Sequence, residues 1–156
     1  MTPLDRFNHA LTLARQKDFE GALAAFSQLV EQHPAWPEAH YNLGRVFRDL
    51  GRFHESEAAY QHAVALRANY PSAWINLGNL YFSQGKDAQA SRAYEQVVRF
   101  DPNAAESWFF LGIARQRLGV RDGAIDAFMQ AVTLQPANED WLRILSAALH
   151  NAGTSS

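Results

Sequence analysis

Any chemistry in this chain would have to be built from six scattered histidines and spread-out carboxylates, because the chain has no cysteine. His54-Glu55 begins like the HExxH of zinc proteases, in which two imidazoles one helical turn apart hold the metal. Ala58 stands at the second histidine's place, so that pair of ligands is missing. His9, His33, His40, His54, His62 and His150 show no ligand spacing, and no metal is expected. The absence of Cys removes disulfides, thiolate nucleophiles and thiolate metal sites. No G-x-S-x-G, Walker or dinucleotide glycine pattern occurs. Neither catalysis nor a cofactor is expected.

Binding chemistry is better supplied. Asn8, Asn42 and Asn76 recur at equal intervals, and Phe110 takes the next place. An Asn amide carries both a donor and an acceptor, so a row of them can follow a peptide backbone without reading its side chains. The bland alternative is that a neutral polar residue is merely tolerated there, and it is preferred for Asn8. Neighbouring positions hold Phe7, Tyr41, Ile75 and Phe109, then Arg45 and Asn79, then Arg48 and Phe82. Aromatic rings beside arginine are the residue types that dominate binding energy at interfaces. Arg45 and Arg48, within a turn of each other, could hold one acidic side chain. The alternative for Tyr41 and Phe82 is packing against the neighbouring helices.

The interval itself dictates the elements that position these residues. Leu43-Gly44, Leu77-Gly78 and Leu111-Gly112 keep the same spacing as the asparagines. A fixed period of this length, about 34 residues, signals stacked supersecondary units. The chain divides into blocks 3–36, 37–70, 71–104 and 105–138, with a terminal helix over 139–152 and a polar tail over 153–156; residues 3–152 are expected to form one domain. Apolar residues spaced three and four apart predict two helices per block, about Pro37–Leu50 and Phe53–Leu66 in the second. Gly51, Gly85 and Gly119 follow the first helices, where a left-handed residue ends a helix without steric cost; Lys17 holds that place in the first block. Pro3, Pro37 and Pro71 open first helices, and Pro34, Pro102 and Pro136 follow second ones.

Columns of equivalent residues predict the core. Ala10, Gly44, Gly78 and Gly112 are small enough for close helix approach, and Ala22, Ser56, Ala90 and Ala124 face back at them. Phe26, Tyr60, Tyr94 and Phe128 are expected to fill the space between hairpins, with Val30, Val64, Val98 and Val132 as a further buried column. The terminal helix carries a wide apolar band that includes Trp141, Leu142, Ile144 and Leu145. That band either caps the last hairpin or docks onto a second copy.

Composition sets outer bounds. A net charge of -2 across 156 residues leaves no strong field for nucleic acid. Twelve of the 14 basic residues are Arg, which favours geometric recognition of carboxylates. No apolar run approaches a membrane span, and the N-terminus lacks a signal-peptide pattern. A soluble, cytoplasmic chain, or a domain of a longer one, is expected.

The pattern Trp74…Leu77-Gly78…Tyr81…Ala90…Tyr94…Pro102 resembles the tetratricopeptide repeat. The fourth block keeps Trp108, Leu111, Gly112, Ala124, Phe128 and Pro136 but has Arg115 where the pattern asks for Tyr; the second has His40 for Trp. The resemblance implies an all-α, right-handed superhelical solenoid of antiparallel helix hairpins. It also implies a concave groove, lined by first helices, that holds a peptide or a partner's helix. Asn42, Asn76, Tyr41, Arg45, Arg48, Ile75, Asn79, Phe82 and Phe109 would line it. Chaperone-binding members clamp a C-terminal carboxylate with Lys and Asn. The matching places hold Phe7, Leu11, Asn42, Ser72 and Asn76 in one register and Tyr41, Arg45, Asn76, Glu106 and Phe110 in the next. Lysine is absent from both, so tight binding of an EEVD-type tail is not expected. The function expected is a non-catalytic interaction module, an adaptor or assembly factor, whose protein or peptide partner the sequence does not name. The alternatives are a homo-oligomer assembled through Trp141, Leu142, Ile144 and Leu145, and the substrate-recruiting part of a longer enzyme.

Overall fold

A computed structural model describes residues 1–153; of the tail expected over 153–156, Gly153 instead ends the last helix, and Thr154–Ser156 lie outside the described residues. Among those described, the secondary structure is helical, in the order α1 (Pro3–Arg15), α2 (Phe19–Gln32), α3 (Pro37–Asp49), α4 (Phe53–Leu66), α5 (Pro71–Ser83), α6 (Asp87–Phe100), α7 (Ala105–Arg117), α8 (Arg121–Leu134) and α9 (Glu139–Gly153). Helices α1 to α8 form four helix pairs, and α9 follows as the terminal helix. The helix starts Pro3, Pro37, Pro71 and Ala105 keep the interval of the sequence repeat. Two compact units are distinguished, Met1–Ala73 and from Trp74 onward. In the first, α1 packs on α2, α2 on α3 and α3 on α4; in the second, α6 packs on α7, α7 on α8 and α8 on α9.

Local rules explain where the helices begin and end. Thr2 Oγ1 accepts from the Asp5 amide at 3.1 Å, and the Asp5 carboxylate accepts from the Thr2 amide at 2.8 Å, a reciprocal cap on α1. The Thr2 hydrogen bonds, the side-chain one foremost, hold the Asp5 carboxyl below its usual range. Four turns between paired helices use a left-handed residue: Lys17 (φ 63°), Gly51 (72°), Gly85 (69°) and Gly119 (76°). Lys17 therefore carries a Cβ in a conformation that glycine adopts without strain.

The core rings sit closer to home than the spacing suggests. A Cβ on Gly44 would lie 2.7 Å from the Tyr60 ring, one on Gly78 2.9 Å from Tyr94, and one on Gly112 2.5 Å from Phe128. Each ring thus lies on the glycine of its own hairpin rather than only between hairpins. Phe26, Tyr60, Tyr94 and Phe128 are all buried. The column facing back also does more than leave room: Ser56 Oγ donates to Gly44 O at 2.8 Å and staples α4 to α3.

The departures from the repeat pattern have physical reasons. His40 Nε2 lies 2.8 Å from the Pro34 carbonyl, so the proton sits on Nε2. Trp108 Nε1 makes the same bond to Pro102 O at 2.9 Å. His40 therefore replaces the indole as a ring N–H donor. Arg115 replaces a tyrosine and bonds to Gly123 O at 2.9 Å and to Glu95 at 3.2 Å, joining α6, α7 and α8.

Candidate partner-binding surfaces

In the first unit, the candidate residues stand on α3. Asn42 is buried, and its Nδ2 donates to Glu38 O within the same helix at 2.8 Å. Its Oδ1 accepts from Arg45 at 3.3 Å. Part of the amide is therefore committed to its own helix. The Tyr41 ring lies 5.1 Å from Tyr70 and 6.0 Å from Tyr60, so it belongs to a ring cluster. Arg67 caps that cluster, 5.1 Å over Tyr70, and forms an ion pair with Glu38. Burial pushes the Tyr70 phenol up to about 12. Arg45 is exposed, 5.9 Å over the Tyr41 ring. Arg48 pairs with Asp49 at 3.0 Å.

A cavity of about 130 Å³ opens between α1 and α3. Leu11, Ala14, Phe26 and Val46 provide apolar lining, and Asn42, Arg15, Arg45 and Asp49 provide polar groups. Arg15 was not among the sequence candidates. The signal for it was there: it stands about two turns after Asn8, on the same stripe of α1.

In the second unit, Ile75 and Asn79 on α5 line a larger cavity of about 300 Å³, with Tyr94, Ser107, Phe110 and Glu106. The Tyr94 hydroxyl donates to Asn79 Oδ1 at 2.7 Å, and Asn79 is exposed. Ser107 is buried at 4 % exposure where the equivalent residues of the second and third repeats, Ala39 and Ala73, carry no side-chain polar atom. Only comparison of the columns reveals it. Asn76 is half-buried on α5. Phe110, in the asparagine column, stacks on Tyr94 at 5.9 Å and meets Phe82 edge-on at 5.4 Å. Arg117 also lies over Phe82, 4.2 Å from the ring centroid, and bonds to Asp87 at 3.3 Å. Packing therefore claims much of Phe82.

The remaining candidates meet each other. Phe109 stacks on Trp141 at 4.8 Å with the rings 9° from parallel, and it lies 5.7 Å from Phe128. Ile144 and Leu145 pack on the same cluster with Ala124, Phe128 and Ala148. Three of the four residues considered for self-association thus bury against α7 and α8. Leu142 and Leu149, 41 % and 49 % exposed, are the outward ones. Among the described residues, no group of three or more His, Asp or Glu side chains comes together to hold a metal ion, and no helix is long and apolar enough to cross a membrane.

Antiparallel helix pairs recurring at one fixed interval, with a ring seated on Gly44, Gly78 and Gly112, define an all-α helical-repeat protein. Sequence profiles described as tetratricopeptide repeat match residues 6–35, 37–103 and 75–139. The chain belongs to the tetratricopeptide-repeat family. No curated protein matches the sequence. Solved structures do match in fold. A crystal structure of MamA superposes with a TM-score of 0.86 at 20% identity, covering 97% of this chain and 82% of that one. MamA from Desulfovibrio magneticus RS-1, residue 41 to its end, gives 0.83 at 21% identity, covering 97% and 85%. YrrB, described as a TPR protein with an unusual peptide-binding site, gives 0.87 at 18% identity, covering 99% and 80%. At such identities the likeness concerns the fold.

Proposed function

We propose that this chain is a non-catalytic protein–protein interaction module that takes a peptide or a partner's helix along its first helices. The observation that carries this reading is the position of the cavities. In each unit a cavity is lined chiefly by successive first helices, α1 with α3 and α5 with α7. Both combine apolar lining with amide groups, which suits a chain that offers backbone hydrogen bonds and side chains together. The peptide-binding site named for YrrB, a protein similar in fold, supports the same use of this one.

Energetics assign the roles. A net hydrogen bond contributes about 0.5–1.5 kcal/mol, and micromolar affinity needs about 8 kcal/mol. Asn42, Asn76 and Asn79 therefore orient a ligand, while Ile75, the Phe110 edge and the arginine stems supply most of the binding. The test is selection of binders from a random peptide library on the native protein, followed by titration against the triple variant Asn42→Ala, Arg45→Glu, Asn76→Ala. We expect affinity to fall by about ten-fold or more, equivalent to about 1.4 kcal/mol. An unchanged peptide set with unchanged affinity would rule out these helices as the binding surface.

A further inference from the structure

The first unit has six arginines, and their partners sort them. Arg48 pairs with Asp49 at 3.0 Å, Arg52 with Glu55 at 2.9 Å, and Arg67 with Glu38. Arg6 bonds to Gln32 at 2.7 Å across the first hairpin. Arg15 and Arg45 have no ion pair among the described residues, and both line the cavity between α1 and α3. Arg45 makes one long hydrogen bond, 3.3 Å to Asn42 Oδ1. The acidic residue at that rim, Asp49, is engaged by Arg48 through both Nε (3.2 Å) and a terminal nitrogen (3.0 Å). Two guanidinium groups on neighbouring helices thus share a rim whose one carboxylate is paired, through Oδ1, with a third arginine.

We propose that this cavity is an acid-binding subsite: it takes the carboxylate of a Glu or Asp side chain in a peptide ligand, held between Arg15 and Arg45. The proposal rests on the peptide-binding reading above and gives it a chemical preference. Guanidinium groups match a carboxylate geometrically and form its strongest hydrogen bonds. The lining residues Leu11, Ala14 and Val46 suit the methylenes that carry the carboxylate. Asn42, on the same cavity, retains a second amide hydrogen beyond the one given to Glu38 O. The volume, about 130 Å³, suits one side chain and not a nucleotide. The anion-binding pair is therefore Arg15 with Arg45 across two helices, not Arg45 with Arg48 along one.

The experiment is a positional-scanning array of capped nonapeptides, each pool fixing one residue at one position, probed with the full chain and with Arg15→Gln and Arg45→Gln. Both side chains are exposed, so the variants should melt as the parent does. Pools fixed as Glu or Asp should bind about ten-fold better than their Gln or Asn counterparts, and each variant should erase most of that margin. Binding with no acid preference, or a preference that survives both variants, overturns the subsite and leaves the peptide-binding reading intact. Silence from every pool sinks both. A phosphoserine pool that exceeds Glu by a wide margin, with the same arginine dependence, replaces the assignment with a phosphate site.

Discussion

Tyr60 and Tyr94 hold the same place in successive repeats, one in each compact unit, and their rings pack in the same way against Gly44 and Gly78. Their hydroxyls differ. Tyr94 donates to Asn79 Oδ1 at 2.7 Å. The Tyr60 hydroxyl is buried with no hydrogen-bond partner among the described residues. Ser56, one turn earlier, gives its proton to Gly44 O instead. The residue equivalent to Asn79 is Arg45, which is turned to the surface and lines the cavity beside Arg15. The second unit thus uses this column to satisfy its own core, and the first leaves it at the surface. Ser56 is the one polar side chain whose hydrogen bonding bears on the Tyr60 phenol, and its proton goes to Gly44 O; a buried hydroxyl left without a partner costs about 1–3 kcal/mol.

The largest test of this comparison concerns what the two units share. Tyr60→Ala and Tyr94→Ala should each cost about 3–5 kcal/mol in urea unfolding, because each empties a ring-sized space over a glycine. A cost below about 1 kcal/mol for either would mean that the rings are not equivalent. The next test uses pH. Burial pushes the Tyr60 phenol up to about 12 from an ordinary value of 10.0. Burial raises the Tyr94 phenol as well. A phenol that ionises later in the folded state stabilises fully below the unfolded value and loses that contribution as pH climbs through the folded one. Stability should therefore decline from about pH 10 to 12, with Tyr60 accounting for up to about 2 kcal/mol. Tyr60→Phe should flatten that decline in equilibrium unfolding at alkaline pH; an unaltered slope would count against a buried phenol.

The sharpest test is a difference in sign. Tyr94→Phe breaks a hydrogen bond and should cost about 1 kcal/mol, whereas Tyr60→Phe removes an unpaired group and should be neutral or stabilising by about the same amount. Arg45→Asn goes further, placing the second unit's acceptor in the first. It should raise thermal stability while abolishing the preference for acidic peptides. Losses of equal size in both Tyr→Phe variants would erase the distinction between the units. The smallest effect concerns the turns. Lys17→Gly should gain up to about 1 kcal/mol, and Gly51→Ala should lose about as much, because both residues adopt left-handed backbone.

Much of the site depended on relations that no single repeat contains. Asn42, Arg45 and Asn79 were recognisable from their columns, but what each amide or guanidinium bonds to is set by packing. Phe109 and Trp141, read separately as groove and self-association residues, stack on one another. Arg48 carries the same charge as Arg45 yet is drawn to Asp49, its neighbour in sequence. Arg15 follows Asn8 by about two turns in the sequence, but its proximity to Arg45 arises from the packing of α1 on α3.

The sequence by itself determined the period, the helix pairs, the left-handed turns including Lys17, and most residues that reach the core; of the expected valine column, Val64 and Val98 are buried and Val30 and Val132 half-buried. These follow from apolar spacing and local backbone sterics, which act over a turn or two and recur with every repeat. Tertiary structure alone decided that Tyr60 lacks a partner while Tyr94 has one, that α9 turns Trp141, Ile144 and Leu145 inward, and that Arg15 and Arg45 share a cavity. Those outcomes depend on which polar groups meet across different helices, where distances of a few tenths of an ångström separate a hydrogen bond from none.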